Sequence, residues 1–305
     1  MELSVVAPCF NEAAGLEQFI KEIQKSIESK YHSFELILID DGSRDLTWQT
    51  IQRLKKLYPF VKGVKLTRNF GHQLAVMAGL SLASGELIAI IDADLQDPPS
   101  LIPLMAAQIT NQIQIVYGQR ESRSGESAFK KISAIAFYRL INLLTTINIP
   151  VDTGDFRVIT KKVCDELLKI QDNRPFLRGY FAFLGFEAIP FTYSRNVRFA
   201  GKSNYPMRKM LRFALSAFLA FSSAPFNILL YFGVLLIFTP IILVPFLLLF
   251  GGVGNHILLM SLAIAIIVET QGLILCALFL MGKYLESIHF LSKRMPTYLI
   301  SIIEA

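Results

Sequence analysis

Between Phe226 and Gly282 the chain has no lysine and no arginine, and Glu269 is its only acid. A stretch that long and that free of charge is hard to place on the surface of a soluble domain. Cysteine is scarce too. Cys9, Cys164 and Cys276 are odd in number and lack C-x-x-C spacing, which argues against a disulfide framework or a zinc site and suits a reducing compartment. No acid occurs between Glu187 and Glu269, whereas Arg195, Arg198, Lys202, Arg208, Lys209 and Arg212 gather just before the apolar stretch. The sequence has no glycine-rich dinucleotide fingerprint and no phosphate loop, which weakens dinucleotide-enzyme and kinase readings. The net charge is +6, but no nucleic-acid-binding motif accompanies it, so nucleic acid is not an expected partner. There is no internal repeat and no low-complexity segment.

What the chain does have is apolar mass in one place. Hydrophobic residues make up 53%, above the soluble range, and the excess falls in two runs, 228–250 and 257–281. Each exceeds the roughly 20 residues that cross a bilayer as a helix. The short loop from Gly251 to His256 between them predicts a transmembrane hairpin spanning 226–282. Lys209, Arg212, Lys283, Lys293 and Arg294 flank the hairpin, and its loop carries no cation. The positive-inside rule then puts both ends in the cytoplasm, at the inner membrane of the cell. Leu3–Ala7 is too short for a signal peptide. The expected organisation is a cytoplasmic domain over 1–206, a juxtamembrane interface helix over 207–225, the hairpin, and a cytoplasmic tail over 283–305. A second amphipathic segment, 125–147, carries Phe129, Ile132, Ala136, Leu140 and Leu143 on one helical face. It fits either the membrane interface or an ordinary core helix.

The N-terminal domain alternates strands and helices. Strands are predicted at Leu3–Ala7, Phe34–Ile39, Val61–Leu66 and Leu87–Ile91, and helices at 11–28, 46–57 and 73–83. That alternation predicts an α/β fold, a mostly parallel sheet with helices on both faces. Such sheets bind ligands beyond the carboxyl ends of their strands. Four polar clusters fall there: Pro8–Glu12, Asp40–Asp45, Arg68–His72 and Asp92–Asp97. In the last, Asp92 and Asp94 sit two apart where a buried strand ends, so both can face one side. Paired carboxylates so placed can hold a hard divalent cation, Mg²⁺ or Mn²⁺, which can hold a diphosphate. Oxygen-only ligands disfavour zinc.

These motifs, in order, carry a resemblance. Ala7-Pro8-Cys9-Phe10-Asn11-Glu12, Ile39-Asp40-Asp41-Gly42-Ser43, Arg68-Asn69-Phe70-Gly71-His72-Gln73 and Asp92-Ala93-Asp94-Leu95-Gln96-Asp97-Pro98-Pro99 resemble those of family 2 glycosyltransferases with the GT-A fold. The subgroup it resembles is the polyprenyl-phosphate glycosyltransferases, which include the dolichol-phosphate mannose synthases. The apolar hairpin and Gly154-Asp155-Phe156-Arg157 are similar to the bacterial branch that makes undecaprenyl-phosphate glucose. Gln171-Asp172-Asn173-Arg174 is similar to the Q-x-x-R-W motif of processive polysaccharide synthases, but Pro175 replaces its tryptophan.

The resemblance implies roles. Pro8, Asn11, Glu12, Asp40, Asp41 and Asp92 would hold the nucleoside, with Asp40 and Asp41 not separable as base acceptor and loop organiser. Asp92 and Asp94 would bind the metal on the nucleotide diphosphate, Asp94 as the better direct ligand and Asp92 touching metal or ribose. Gln96 would reach the metal shell or the lipid phosphate. Asp155 would lie at the reaction centre, orienting the acceptor or taking a residual proton. Arg120, Lys130, Lys131, Arg198, Lys202 and Tyr205 would bind the acceptor phosphate or the diphosphate. The implied reaction is inverting transfer of glucose from UDP-glucose to undecaprenyl phosphate at the cytoplasmic membrane face. Another donor (GDP-mannose or a UDP-aminosugar) and a processive synthase are the alternatives. Glu269, inside the second apolar run, is expected at a helix-pairing or homo-oligomer contact.

Overall fold

The computed structural model describes residues 1–121, 153–170, 172, 175–194, 231–233, 238, 245, 256–292 and 296–304. Segments 125–147 and 207–225, with Lys130, Lys131, Arg198, Lys202 and Tyr205, lie outside the described residues. So does most of the first apolar run.

Eight strands form one sheet: β1 (Leu3–Cys9), β2 (Phe34–Asp40), β3 (Val61–Leu66), β4 (Leu87–Ile90), β5 (Ile115–Arg120), β6 (Thr153–Thr160), β7 (Ala188–Tyr193) and β8 (Ile300–Glu304). Their spatial order is β7-β5-β6-β4-β1-β2-β3-β8. The pairs among β4, β1, β2 and β3 are parallel, so their four carboxyl ends lie side by side. β6 runs antiparallel to both β4 and β5, β7 pairs parallel with β5, and β8 closes the far side antiparallel to β3.

Alternation along the strands sorts the core into two layers. Leu3, Val5, Ala7, Leu36 and Leu38 pack with α1 (Leu16–Ile27), α2 (Thr47–Lys55) and α4 (Ile102–Ala106). Val6 and Ile39 turn the other way, toward α3 (His72–Leu80). A Cβ on Gly79 would sit 2.4 Å from Val6 and 2.6 Å from Ile39, so this helix lies unusually close to the sheet. From Leu74 to Leu80 every residue of α3 is buried, which is why it shows no amphipathic stripe. Two further helices, α5 (Lys161–Leu168) and α6 (Leu177–Leu184), follow β6, and α5 contacts α3.

Two expectations need correction. The first helix begins at Leu16 rather than Asn11. The reason is the backbone: Asn11 sits at φ 58°, outside the right-handed helical region, and its N–H bonds Ser43 Oγ while that of Glu12 bonds Thr47 Oγ1, which holds the segment as a loop. The C-terminal end is also more than a tail. Ile300–Glu304 joins the sheet, Thr67 N–H bonds Leu299 O at 3.0 Å, and Gln52 Nε2 donates to Glu304 at 2.6 Å.

The chain divides into two units. One holds the sheet, including Pro296–Ala305. The other holds α7 (His256–Ser292), a single helix of 37 residues that contains one apolar span, Leu262–Gly282.

Candidate functional site

The site grows from the carboxyl ends of β1, β2 and β4, the loop after β3, and the start of β6. At the end of β2 the two neighbouring acids take different tasks. Asp41 accepts the N–H groups of Phe70 and Gly71 at 2.7 and 2.9 Å, and its carbonyl accepts from Asn69 Nδ2. It therefore organises the turn into α3. Asp40 accepts Ser43 N–H on Oδ1 and leaves Oδ2 buried with no hydrogen-bond partner in the structure. Between them and the next loop there is no room. Gly42 has φ +66°, and a Cβ there would lie 2.5 Å from the backbone of Arg68 and of Asn69. Asn11, itself at φ 58°, accepts Arg44 N–H and so joins the β1 loop to the β2 loop. Pro8 lies within β1, opposite Ile39.

After β4, Asp94 accepts Gln96 N–H at 3.1 Å, which holds a tight turn through Leu95 at φ 59°. Asp92 lies 3.6 Å from His72 Nε2. Burial pushes the Asp92 carboxyl above its ordinary range. His72 opposes that rise, while Asp155, Asp94 and Asp97 add to it. Asp97 is buried and takes the Tyr193 hydroxyl proton donor at the end of β7.

The densest polar contacts surround Asp155. Its Oδ2 accepts from Gln73 Nε2 at 3.1 Å and meets His72 Nε2 at 3.1 Å, and its Oδ1 accepts from Arg178 Nε at 2.9 Å. Burial alone would raise its pKa, but the charges of Arg178, His72 and Arg157 hold it well below the carboxylate range. His72 responds in the opposite sense. Burial lowers its pKa, yet Asp92 and Asp155 lift it to about 9. Arg157 does not pair with the Asp155 carboxylate. It donates to the backbone carbonyls of Asp155 and Gly154 and stacks on Phe181, fixing the segment from beneath. Arg120, at the end of β5, has a buried Nε without a hydrogen-bond partner. A Cβ on Gly154 would come within 3.0 Å of its guanidinium.

The structure thus brings Pro8, Asn11, Glu12, Asp40, Asp41, Asp92, Asp94, Gln96, Asp155 and Arg120 to strand ends or the loops after them. Sequence reasoning missed His72, Gln73 and Arg178. His72 and Gln73 stood inside a recognised motif and carried a signal. Arg178, 23 residues from Asp155 on a short helix, carried none.

No cluster of three or more metal-binding side chains occurs among the described residues. Asp92 and Asp94 supply two carboxylates in a neighbourhood of like charge that raises the pKa of Asp92. That donor set fits a hard cation whose remaining ligands are diphosphate oxygens, rather than an ion caged by protein alone.

Comparison with known proteins gives a consistent result. Glycosyl transferase family 2 matches residues 4–168. An uncharacterized glycosyltransferase of Bacillus subtilis, YkcC, is 35% identical over 98% of this chain and 93% of its own length. A bactoprenol glucosyl transferase of Shigella phage SfV is 30% identical over 98% of each chain. A prophage bactoprenol glucosyl transferase homolog of Escherichia coli is 30% identical over the full length of both.

Proposed function

This chain belongs to glycosyl transferase family 2, and on that premise we propose that it moves glucose from UDP-glucose onto a polyprenyl phosphate. The observation that carries the proposal is the meeting of two unlike half-sites. Asp92 and Asp94 form an acidic half at the end of β4, and His72 with Arg178 forms a cationic half around Asp155. The two halves are 3.6 Å apart at the Asp92–His72 contact. An acidic half suits a cation-bound diphosphate, and a cationic half suits a second anion. The full-length relatives named for bactoprenol support a lipid acceptor.

Nucleoside binding falls to the loops after β1 and β2. Asp40 Oδ2, buried without a donor, is suited to accept an N–H from the base, while Asp41 holds the neighbouring loop. Asp92 and Asp94 would hold Mg²⁺ or Mn²⁺. When bound, that ion neutralises charge growing on the departing diphosphate. The acceptor needs little help from a base. A phosphate monoester has its second pKa near 6 and is mostly dianionic at neutral pH. Asp155, held strongly acidic, is poorly suited to take a proton. Its role in this reading is to place groups, and the reaction is a single displacement with inversion at the sugar carbon.

α7 and β8 support membrane attachment in this reading. Leu262–Gly282 is long and apolar enough to span a bilayer, with a mean hydropathy of 2.2. The chain leaves the sheet unit before α7 and rejoins the same sheet at β8. A chain that starts and ends on one side of a bilayer crosses it an even number of times, which favours a partner span in the run 228–250. A homo-oligomer formed through these helices is part of the proposal.

The test is a membrane preparation given labelled UDP-glucose, UDP-N-acetylglucosamine or GDP-mannose, with undecaprenyl phosphate and with or without EDTA. Labelled lipid from UDP-glucose, lost with EDTA, is expected. Labelled lipid from GDP-mannose alone would reassign the donor, and labelled polymer would favour a processive synthase.

A further inference from the structure

We propose that His72 and Arg178 bind the terminal phosphate of the acceptor lipid, and that Asp155 is the carboxylate that positions both. This rests on the reading above that the acceptor is a phosphate monoester. Three observations support it.

The first is convergence. His72 and Arg178 come from helices far apart in sequence yet meet on opposite oxygens of one carboxylate, at 3.1 and 2.9 Å. Held there, they offer charge-assisted donors at a fixed spacing, the arrangement that phosphate oxygens favour.

The second is the order of exposure. The side chain of Asp155 is 11% exposed, that of Arg178 25% and that of His72 40%. An approaching anion therefore meets the imidazole and the guanidinium before the carboxylate beneath them. Arg157 lies deeper, buried against Phe181, and offsets the charge of Asp155 from behind.

The third is the clip that holds the arrangement. Gln73 donates to Asp155 Oδ2, and its Oε1 accepts Leu177 N–H at 3.0 Å. One side chain thus ties the first turn of α3 to the first turn of α6. His72 and Arg178 are its immediate neighbours on those turns. Because His72 also lies 3.6 Å from Asp92, a phosphate held here would sit beside the donor. Bringing two reactants together in this way is what a site with little need for a base must supply.

The test is equilibrium binding to the full-length protein in detergent, with farnesyl phosphate as acceptor probe, farnesol as the same tail without phosphate, and UDP as donor probe. For His72→Gln and Arg178→Gln, the farnesyl phosphate Kd should rise about tenfold or more, the scale of a lost charge-assisted hydrogen bond. The UDP Kd should stay within about twofold, and Arg178→Lys should recover part of the loss, since it keeps the charge. Unchanged farnesyl phosphate binding in both glutamine variants would overturn the assignment. So would a parallel loss of UDP and farnesyl phosphate, which marks a structural role. Wild-type protein that binds UDP but prefers farnesyl phosphate no more than farnesol would instead sink the acceptor reading itself.

Discussion

Asp155 and Asp94 lie near each other in function but not in environment. Asp155 is surrounded by donors and cations, whereas Asp94 has acidic neighbours and accepts one backbone N–H within its own turn. Replacing each by asparagine separates placement from charge. Asp155→Asn is expected to lower kcat less than Asp94→Asn does, because an amide can still accept from Arg178 while a missing carboxylate cannot hold the metal. Steady-state kinetics of both variants decide it, and the reverse ranking counts against the division of labour. The pH profile offers a second check. Asp155 is held strongly acidic, so it stays ionised across the working range and adds no inflection there. The acid limb of kcat/KM should instead follow the acceptor phosphate near pH 6. An acid limb abolished by Asp155→Asn would assign the proton to that carboxylate after all. The placement of Asp92, Asp94 and Asp155 was readable in advance, because they stand in short motifs at strand ends. Arg178 was not, since nothing local links it to Asp155. Only the tertiary fold, which sets the first turn of α6 beside the start of β6, brings the two together.

At the scale of elements, the loops after β1, β2 and β3 behave as one interlocked body, with Asn11, Asp41 and Gly42 as its joints. Gly42→Ala should be severe. It imposes a left-handed backbone on a residue with a Cβ, at about 1–2 kcal/mol, and drives that Cβ to 2.5 Å from the next loop. UDP affinity and thermal stability should fall together, and calorimetry with and without UDP measures both. At the opposite end of the strands, buried Glu35 accepts from Ser4 and Ser84 and pairs with Lys62 at 2.6 Å. Burial would raise its pKa, but these partners bring it down to about 2. A depressed carboxylate stabilises the fold above its unfolded pKa and loses that contribution as pH falls through the folded value. Glu35→Gln should therefore lower the midpoint of thermal unfolding near pH 7, with the gap to wild type closing below about pH 4. A gap that stays constant with pH would show that the charge is not what stabilises. β1, β2 and β4 were legible because they are buried on both faces and read as mostly apolar runs, and β3 because its apolar residues are bounded by turn signals. The start of α1 was not, because the loop before it, with Asn11 in a left-handed conformation, is held by side chains more than 30 residues away. β8 was missed for a like reason. Its partner β3 lies at the other end of the chain.

For the molecule as a whole, the two ends of the chain meet in one sheet. α7 is about 55 Å long at 1.5 Å per residue, well beyond the ~30 Å of bilayer hydrocarbon, so in the proposed membrane arrangement its ends would reach past the apolar core. In the proposed hairpin, positions 255 and 301 would face opposite compartments. Single cysteines at these positions, in a background lacking the native three, should label from opposite sides of sealed vesicles with an impermeant maleimide. Labelling from the same side would rule out the hairpin. The composition pointed to long apolar helices, and α7 contains one such span, but nothing in the composition showed that residues 300–304 return to the sheet.

The most direct measurement is the anomeric configuration of the lipid product. Purified protein given UDP-glucose, a divalent cation and undecaprenyl phosphate should yield a glucosyl phosphate lipid whose proton and phosphorus NMR report a β linkage, opposite to the donor. An α-linked product, or glucose found on a hydroxyl rather than on the phosphate, would contradict a single displacement by a phosphate held beside Asp155.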